Sequence, residues 1–226
     1  MPQTRNVFAQ AVTQTKFNVT NNSNGHLNNQ YILVFITPVA QAENWLYAAW
    51  QQLNPGDGST RSFILDQKVS GQMLSTDGLY TTNQVAIPPS YVSSLTNSGG
   101  LEPVLGAIQL GSQVNPPTVT NTQSGIKNQT MDPGSAMYAQ WLLNGNLTVQ
   151  SLTPISAGGT LSAFELNTTL YWAVGTFQTG PGYSYNQVTA STAYALPPNT
   201  PEVNVSLTYN DATQQFEWSF NPPSDQ

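Results

Sequence analysis

Two glutamates in predicted strands form the candidate acid pair of this sequence. Glu165 sits in Phe164-Glu165-Leu166 and Glu217 in Phe216-Glu217-Trp218. A glycosidase needs two carboxyls flanking the scissile bond, so this pair is the enzymatic reading to weigh. Strand alternation opposes it, because each glutamate points away from its aromatic neighbours and hence toward solvent if those rings are core. The chain's single histidine, His26, lies in an Asn/Gly loop with no nucleophile-elbow sequence to serve. One histidine and no cysteine leave no zinc, thiolate or iron–sulfur site, and no cofactor motif is present. Asp57 in Asn54-Pro55-Gly56-Asp57-Gly58-Ser59 lacks the further ligands of a calcium loop and reads as a plain turn.

Aromatic side chains supply a binding alternative. Tyr183 and Tyr185 lie in Gly180-Pro181-Gly182-Tyr183-Ser184-Tyr185, a loop that favours exposed rings, and Trp45 borders another proposed loop. Exposed rings give sugars a stacking surface, and Asn and Gln side chains add neutral hydrogen bonds. Trp50, Trp141, Trp172 and Trp218 fall within apolar strands and read as core.

Charge narrows the partners. Asp, Glu, Lys and Arg make up 7% of the 226 residues, against about 25% in a typical domain. The five cations, Arg5, Lys16, Arg61, Lys68 and Lys127, are dispersed and the net charge is -6. Nucleic acid and an electrostatic membrane anchor are therefore not expected partners. The neutral Asn/Gln/Ser/Thr surface has weak long-range self-repulsion and tolerates copies of itself or neutral ligands. No apolar run is long enough to span a bilayer as a helix, and the N-terminus shows no signal-peptide core. The expected location is cytoplasmic, or outside the cell by a non-classical route. Six Asn-X-Ser/Thr sequons, at Asn18, Asn21, Asn128, Asn146, Asn167 and Asn204, are then expected to be unused.

The elements that must position these residues read as strands. Alternating or β-branched runs at Phe17–Thr20, Tyr31–Thr37, Arg61–Ser70 and Gln84–Ile87 are punctuated by Asn, Gly and Pro. The second half adds runs at Ala136–Leu143, Leu147–Leu152, Thr160–Leu166, Thr169–Thr176, Val188–Ala195, Val203–Tyr209 and Phe216–Phe220. Ala42–Leu53 is ambiguous between a short helix and a loop leading into a strand. Residues 1–16 read as an arm or edge strand, and residues 95–135 as a loop-rich excursion with a pair of edge strands. The pattern predicts one all-β domain over 1–226, an antiparallel two-sheet β-sandwich of jelly-roll type.

Several short segments carry a family resemblance. They are Phe17-Asn18-Val19-Thr20-Asn21-Asn22-Ser23, Ala48-Ala49-Trp50 before a Pro/Gly turn, Tyr171-Trp172-Ala173-Val174-Gly175, and Leu196-Pro197-Pro198-Asn199 before Val203–Tyr209. In arrangement the chain resembles the RhiA-like proteins of bacteria and fungi. That resemblance implies an all-β fold with no known enzymatic activity, and it supplies no catalytic residue. The function expected first is structural or self-associating, as a homo-oligomer. A module binding neutral carbohydrate or another small neutral ligand comes second, and a glycoside hydrolase third.

Overall fold

The computed structural model describes residues 14–39, 42–97, 105–110, 119–130, 135–158 and 160–221. Seventeen strands run along the described chain. They are β1 (Gln14–Asn22), β2 (Tyr31–Pro38), β3 (Trp45–Tyr47), β4 (Gln51–Leu53), β5 (Thr60–Asp66), β6 (Val69–Ser75), β7 (Val85–Ala86), β8 (Val92–Asn97), β9 (Leu105–Leu110) and β10 (Ser124–Asn128). They continue with β11 (Met137–Leu143), β12 (Asn146–Ser151), β13 (Thr160–Phe164), β14 (Leu166–Gly175), β15 (Thr192–Ala195), β16 (Glu202–Asn210) and β17 (Gln215–Asn221). One short helix, α1 (Tyr185–Thr189), stands between β14 and β15. No described helix is long and apolar enough to cross a membrane.

The fold is all-β and sandwich-like, as expected from the sequence, but it is built from four hydrogen-bonded sheets where two were expected. Sheet I has the order β17-β16-β1-β5, sheet II β15-β14-β2-β4, sheet III β3-β12-β11-β6-β7, and sheet IV β13-β10-β8-β9. Most ladders are antiparallel, but β1 pairs with β16 and β8 with β10 in parallel. A parallel pair needs a long crossover. Here nearly the whole chain separates β1 from β16, and side-chain alternation carries no signal of strand direction.

Aromatic packing shows which faces meet. Trp172 on β14 lies 5.8 Å from Phe17 and 6.1 Å from Phe63, so sheet II covers sheet I. Phe164 on β13 stacks on Trp141 of β11 at 5.3 Å, so sheet IV covers sheet III. Three chain passages tie the pairs together. β5 continues into β6 through Gln67-Lys68, β13 into β14 through Glu165, and β3 into β4 through Ala48-Ala49-Trp50. Trp50 fixes the last passage: its Nε1 donates to the Leu143 carbonyl at 3.0 Å and its ring meets Phe63 edge-on. The buried apolar side chains form one contiguous cluster.

Several local expectations change. Ala42–Leu53 holds a 3-10 turn at Ala42–Asn44 followed by β3 and β4, with no α-helix. Trp45 and Tyr47 are both buried while Leu46 between them is less so, which is the two-residue period of a strand. Val188–Ala195 is not a continuous strand, because Val188 belongs to α1 and only Thr192–Ala195 is extended. A capping box explains the helix: Ser184 and Gln187 satisfy each other's backbone N–H groups. Arg61–Ser70 divides into β5 and β6 at Gln67-Lys68. Within 95–135, β10 is an interior strand of sheet IV and not an edge. The remainder of that region (98–104, 111–118 and 131–134) and residues 1–13 lie outside the described residues.

Gly71 on β6 leaves room for the side chain of Ile126 on β10 to pack against its backbone. A Cβ there would lie 2.6 Å from Ile126 Cδ1 and 2.8 Å from Ile87 Cδ1, both on fully buried side chains. Overpacking a filled core costs about 1–3 kcal/mol. Gly71→Ala is therefore expected to lower stability by that amount, read as a lower urea midpoint with an unchanged m-value.

Candidate functional site

The structure places the glutamate pair on separate elements. Glu165 occupies the corner between β13 and β14 and lines a recess of about 260 Å³ with Gln67, Asn121, Thr122, Ser124 and Thr168 among its neighbours. Among the described residues no second carboxylate lines that recess. Glu217 projects from the exposed face of β17, where its Oε1 accepts from Asn210 Nδ2 at 2.7 Å. No group of three or more His, Asp or Glu that could hold a metal occurs among the described residues. His26 is exposed, stacks on Tyr209 at 3.8 Å and places Nε2 3.4 Å from Asp211 Oδ1.

The tyrosine loop is docked and does not present free rings. Tyr183 and Tyr47 exchange backbone hydrogen bonds of 2.9 and 3.1 Å, which pins the loop beside β3. That anchoring turns Tyr183 edge-on to Phe35 at 4.9 Å and sets Tyr185 6.3 Å from Tyr47, so both rings are half-buried. The exposed ring near this loop is Phe177, at 56%. Trp45 was expected at the surface and is 5% exposed, because β3 turns its ring inward against Phe164. Trp50, Trp141 and Trp172 are buried as expected, and Trp218 is half-buried. Of the sequons, Asn21 and Asn128 are buried, and both side chains bind backbone carbonyls.

Sheet I carries an arrangement that needs register to be seen. Its pairing aligns Ser62, Asn18, Asn204 and Asn221 in one row across four strands, and Thr60, Thr20, Ser206 and Ser219 in the next. These neutral side chains bind one another. Ser62 Oγ donates to Asn18 Oδ1 at 2.7 Å, Asn18 Nδ2 to Asn204 Oδ1 at 3.0 Å, and Thr20 and Thr60 share a bond of 2.8 Å. Among the described residues the outer edge of β17 is unpaired. β17 reads Gln-Phe-Glu-Trp-Ser-Phe-Asn, with no lysine, proline or glycine, and its register with β16 is unbroken. On its inner side Phe216, Trp218 and Phe220 are half-buried. Phe220 stacks on Tyr194 of β15 at 4.5 Å, where the edges of sheets I and II meet.

No protein-family model, curated protein or solved structure matches the chain.

Burial pushes the Tyr47 phenol well above the ordinary tyrosine range, with Tyr185, Glu43 and Tyr171 adding to the shift. Burial also raises Tyr183 and Tyr194. The unfolded chain ionises these groups near the ordinary value of 10.0, while the folded chain keeps their protons. Folding stability is then full below that pH and falls above it, since the native state binds more protons there. The urea midpoint is expected to decline above about pH 10, and Tyr47→Phe should flatten the decline.

Proposed function

We propose that this chain is a non-enzymatic, self-associating β-sandwich protein, and that copies join through β17. The unguarded edge of that strand carries the proposal. Exposed sheet edges are normally blunted by lysine, proline, bulges or covering elements, because unpaired N–H and C=O groups template another strand. β17 has none of the first three, and its outer edge is open among the described residues.

A second copy fits by symmetry. An antiparallel β17–β17 pair centred on Trp218 sets Phe216 opposite Phe220, Glu217 opposite Ser219, and Gln215 opposite Asn221. Aromatic side chains then face each other on the inner side, and no like charges meet on the outer side. The contact is isologous and closes as a dimer. The neutral rows of sheet I add little repulsion to the approach. A single strand pair falls short of the roughly 1,200–2,000 Å² of a stable interface, so the association should be concentration-dependent. The RhiA-like resemblance, with no known enzymatic activity, agrees with a non-catalytic role.

Sedimentation velocity over a hundredfold concentration range is expected to show a reversible dimer. Ser219→Glu puts a carboxylate opposite Glu217 twice by symmetry. At about 0.5 kcal/mol per like-charge contact, the dimer should weaken about fivefold. Ser219→Lys makes the same exposed position attractive to Glu217 and should leave the dimer as tight or tighter. A wild-type chain that stays monomeric sinks the proposal, and equal loss in both variants sinks this register.

A further inference from the structure

Four places in the chain put an asparagine or aspartate directly before a glycine: Asn24-Gly25, Asp57-Gly58, Asp77-Gly78 and Asn144-Gly145. This pairing has a chemistry of its own. The glycine nitrogen can close on the side-chain carbonyl carbon of the residue before it. Having no Cβ, glycine leaves that nitrogen unshielded and the backbone free to turn. An amide reacts more readily than a carboxylate, whose negative charge repels the nucleophile. Closure also needs a side chain free to swing toward the nitrogen and an N–H not already donated.

Three of the four sites are tied. Gly58 N–H donates to the Asn21 carbonyl at 2.7 Å, and Gly78 N–H to the Ser75 carbonyl at 2.9 Å. Asp77 Oδ1 also accepts from Ser75 Oγ and from the Leu79 N–H. Asn144 is exposed, but its Nδ2 donates to the Ile64 carbonyl at 2.6 Å, which holds the amide against β5. The pairing of Leu143 with Asn146 clamps that turn on both sides.

Asn24-Gly25 differs. Both residues are exposed, and among the described residues neither the Asn24 side chain nor the Gly25 N–H has a hydrogen-bond partner. No atom lies within 4 Å of the position a Gly25 Cβ would take. The frame around the pair is nevertheless fixed. Ser23 is buried, and it accepts the His26 N–H on its carbonyl and the Leu27 N–H on its Oγ, each at 3.1 Å.

We infer that Asn24-Gly25 is a self-modifying site, at which the folded protein converts Asn24 to aspartate and isoaspartate. Gly25 N bonds to Asn24 Cγ and gives up its proton. The Cγ–Nδ2 bond breaks, and Nδ2 leaves with that proton as ammonia, so a succinimide ring remains. Water then opens the ring at one of its two carbonyls. Opening at Cγ yields aspartate, and opening at the backbone carbonyl yields isoaspartate, whose main chain is one methylene longer. Either product sets a new carboxylate two residues before His26, which already faces Asp211. The longer chain between Ser23 and His26 also displaces the His26 ring from its stack on Tyr209. The site lies on the loop between β1 and β2 and does not depend on pairing through β17.

The test holds the full chain at mildly alkaline pH and body temperature, natively and in concentrated urea. Peptide mapping reads the change from amide to acid at each asparagine, and enzymatic methylation detects isoaspartate. In the native sample Asn24 is expected to convert several-fold faster than Asn144. In urea both pairs are released and should convert at similar rates. Native Asn144 keeping pace with Asn24 overturns the inference, as does a native Asn24 that stays intact. His26 is the only histidine, so its ring-proton signals report on the stack directly. They should split as isoaspartate accumulates and stay single in Asn24→Gln. Signals that never split overturn the displacement of His26.

Discussion

Trp172 meets rings from three strands of the facing sheet: Phe17 on β1, Phe63 on β5, and Trp218 and Phe220 on β17. This one indole therefore sets the distance between sheets I and II. Phe17 and Phe63 also stack on each other at 5.0 Å, so β1 and β5 present a common surface to it. Because Trp218 and Phe220 lean on Trp172, β17 is held as an alternating edge in unbroken register with β16. The outward row of Gln215, Glu217, Ser219 and Asn221 is a consequence of that inward anchoring.

Local chemistry was legible in the sequence. Ala136–Leu143 and Leu147–Leu152 were readable as successive strands, and between them Asn144 and Gly145 adopt the left-handed backbone that a two-residue hairpin turn needs. The Tyr31–Thr37 run reads as a buried central strand, and β2 lies between β14 and β4 with nearly every residue buried. What failed was set by tertiary context. Val188 looks like a strand residue until Ser184 and Gln187 close a capping box ahead of it. Trp45 borders a turn in sequence, yet the pairing of β3 with β12 carries it into the core. The neutral rows of sheet I were invisible because Asn18 and Asn204 are brought side by side only by the β1–β16 register.

The charge-poor composition now has a structural reading. Among the described residues, close contacts between acidic and basic side chains are confined to Lys68 with Asp66 and His26 with Asp211. Polar cohesion rests on amides and hydroxyls, as in Gln72–Gln140–Gln150, where side chains bond in series across β6, β11 and β12. Such bonds are less sensitive to salt than ion pairs. The same scarcity of charge lies behind the proposed contact between copies, whose edge strand carries one glutamate and no lysine or arginine.

The parallel pairing of β1 with β16 also governs how the chain can be made. β1 occupies the centre of sheet I, but one of its two neighbours is not synthesised until residue 202 onward. During translation the β1–β5 pair must wait with an open interior edge for almost the entire chain to emerge. Contacts of such long sequence separation slow folding and leave unpaired edges open to aggregation in the meantime. A ribosome pausing late in this message would hold a nascent chain whose sheet I lacks half its strands.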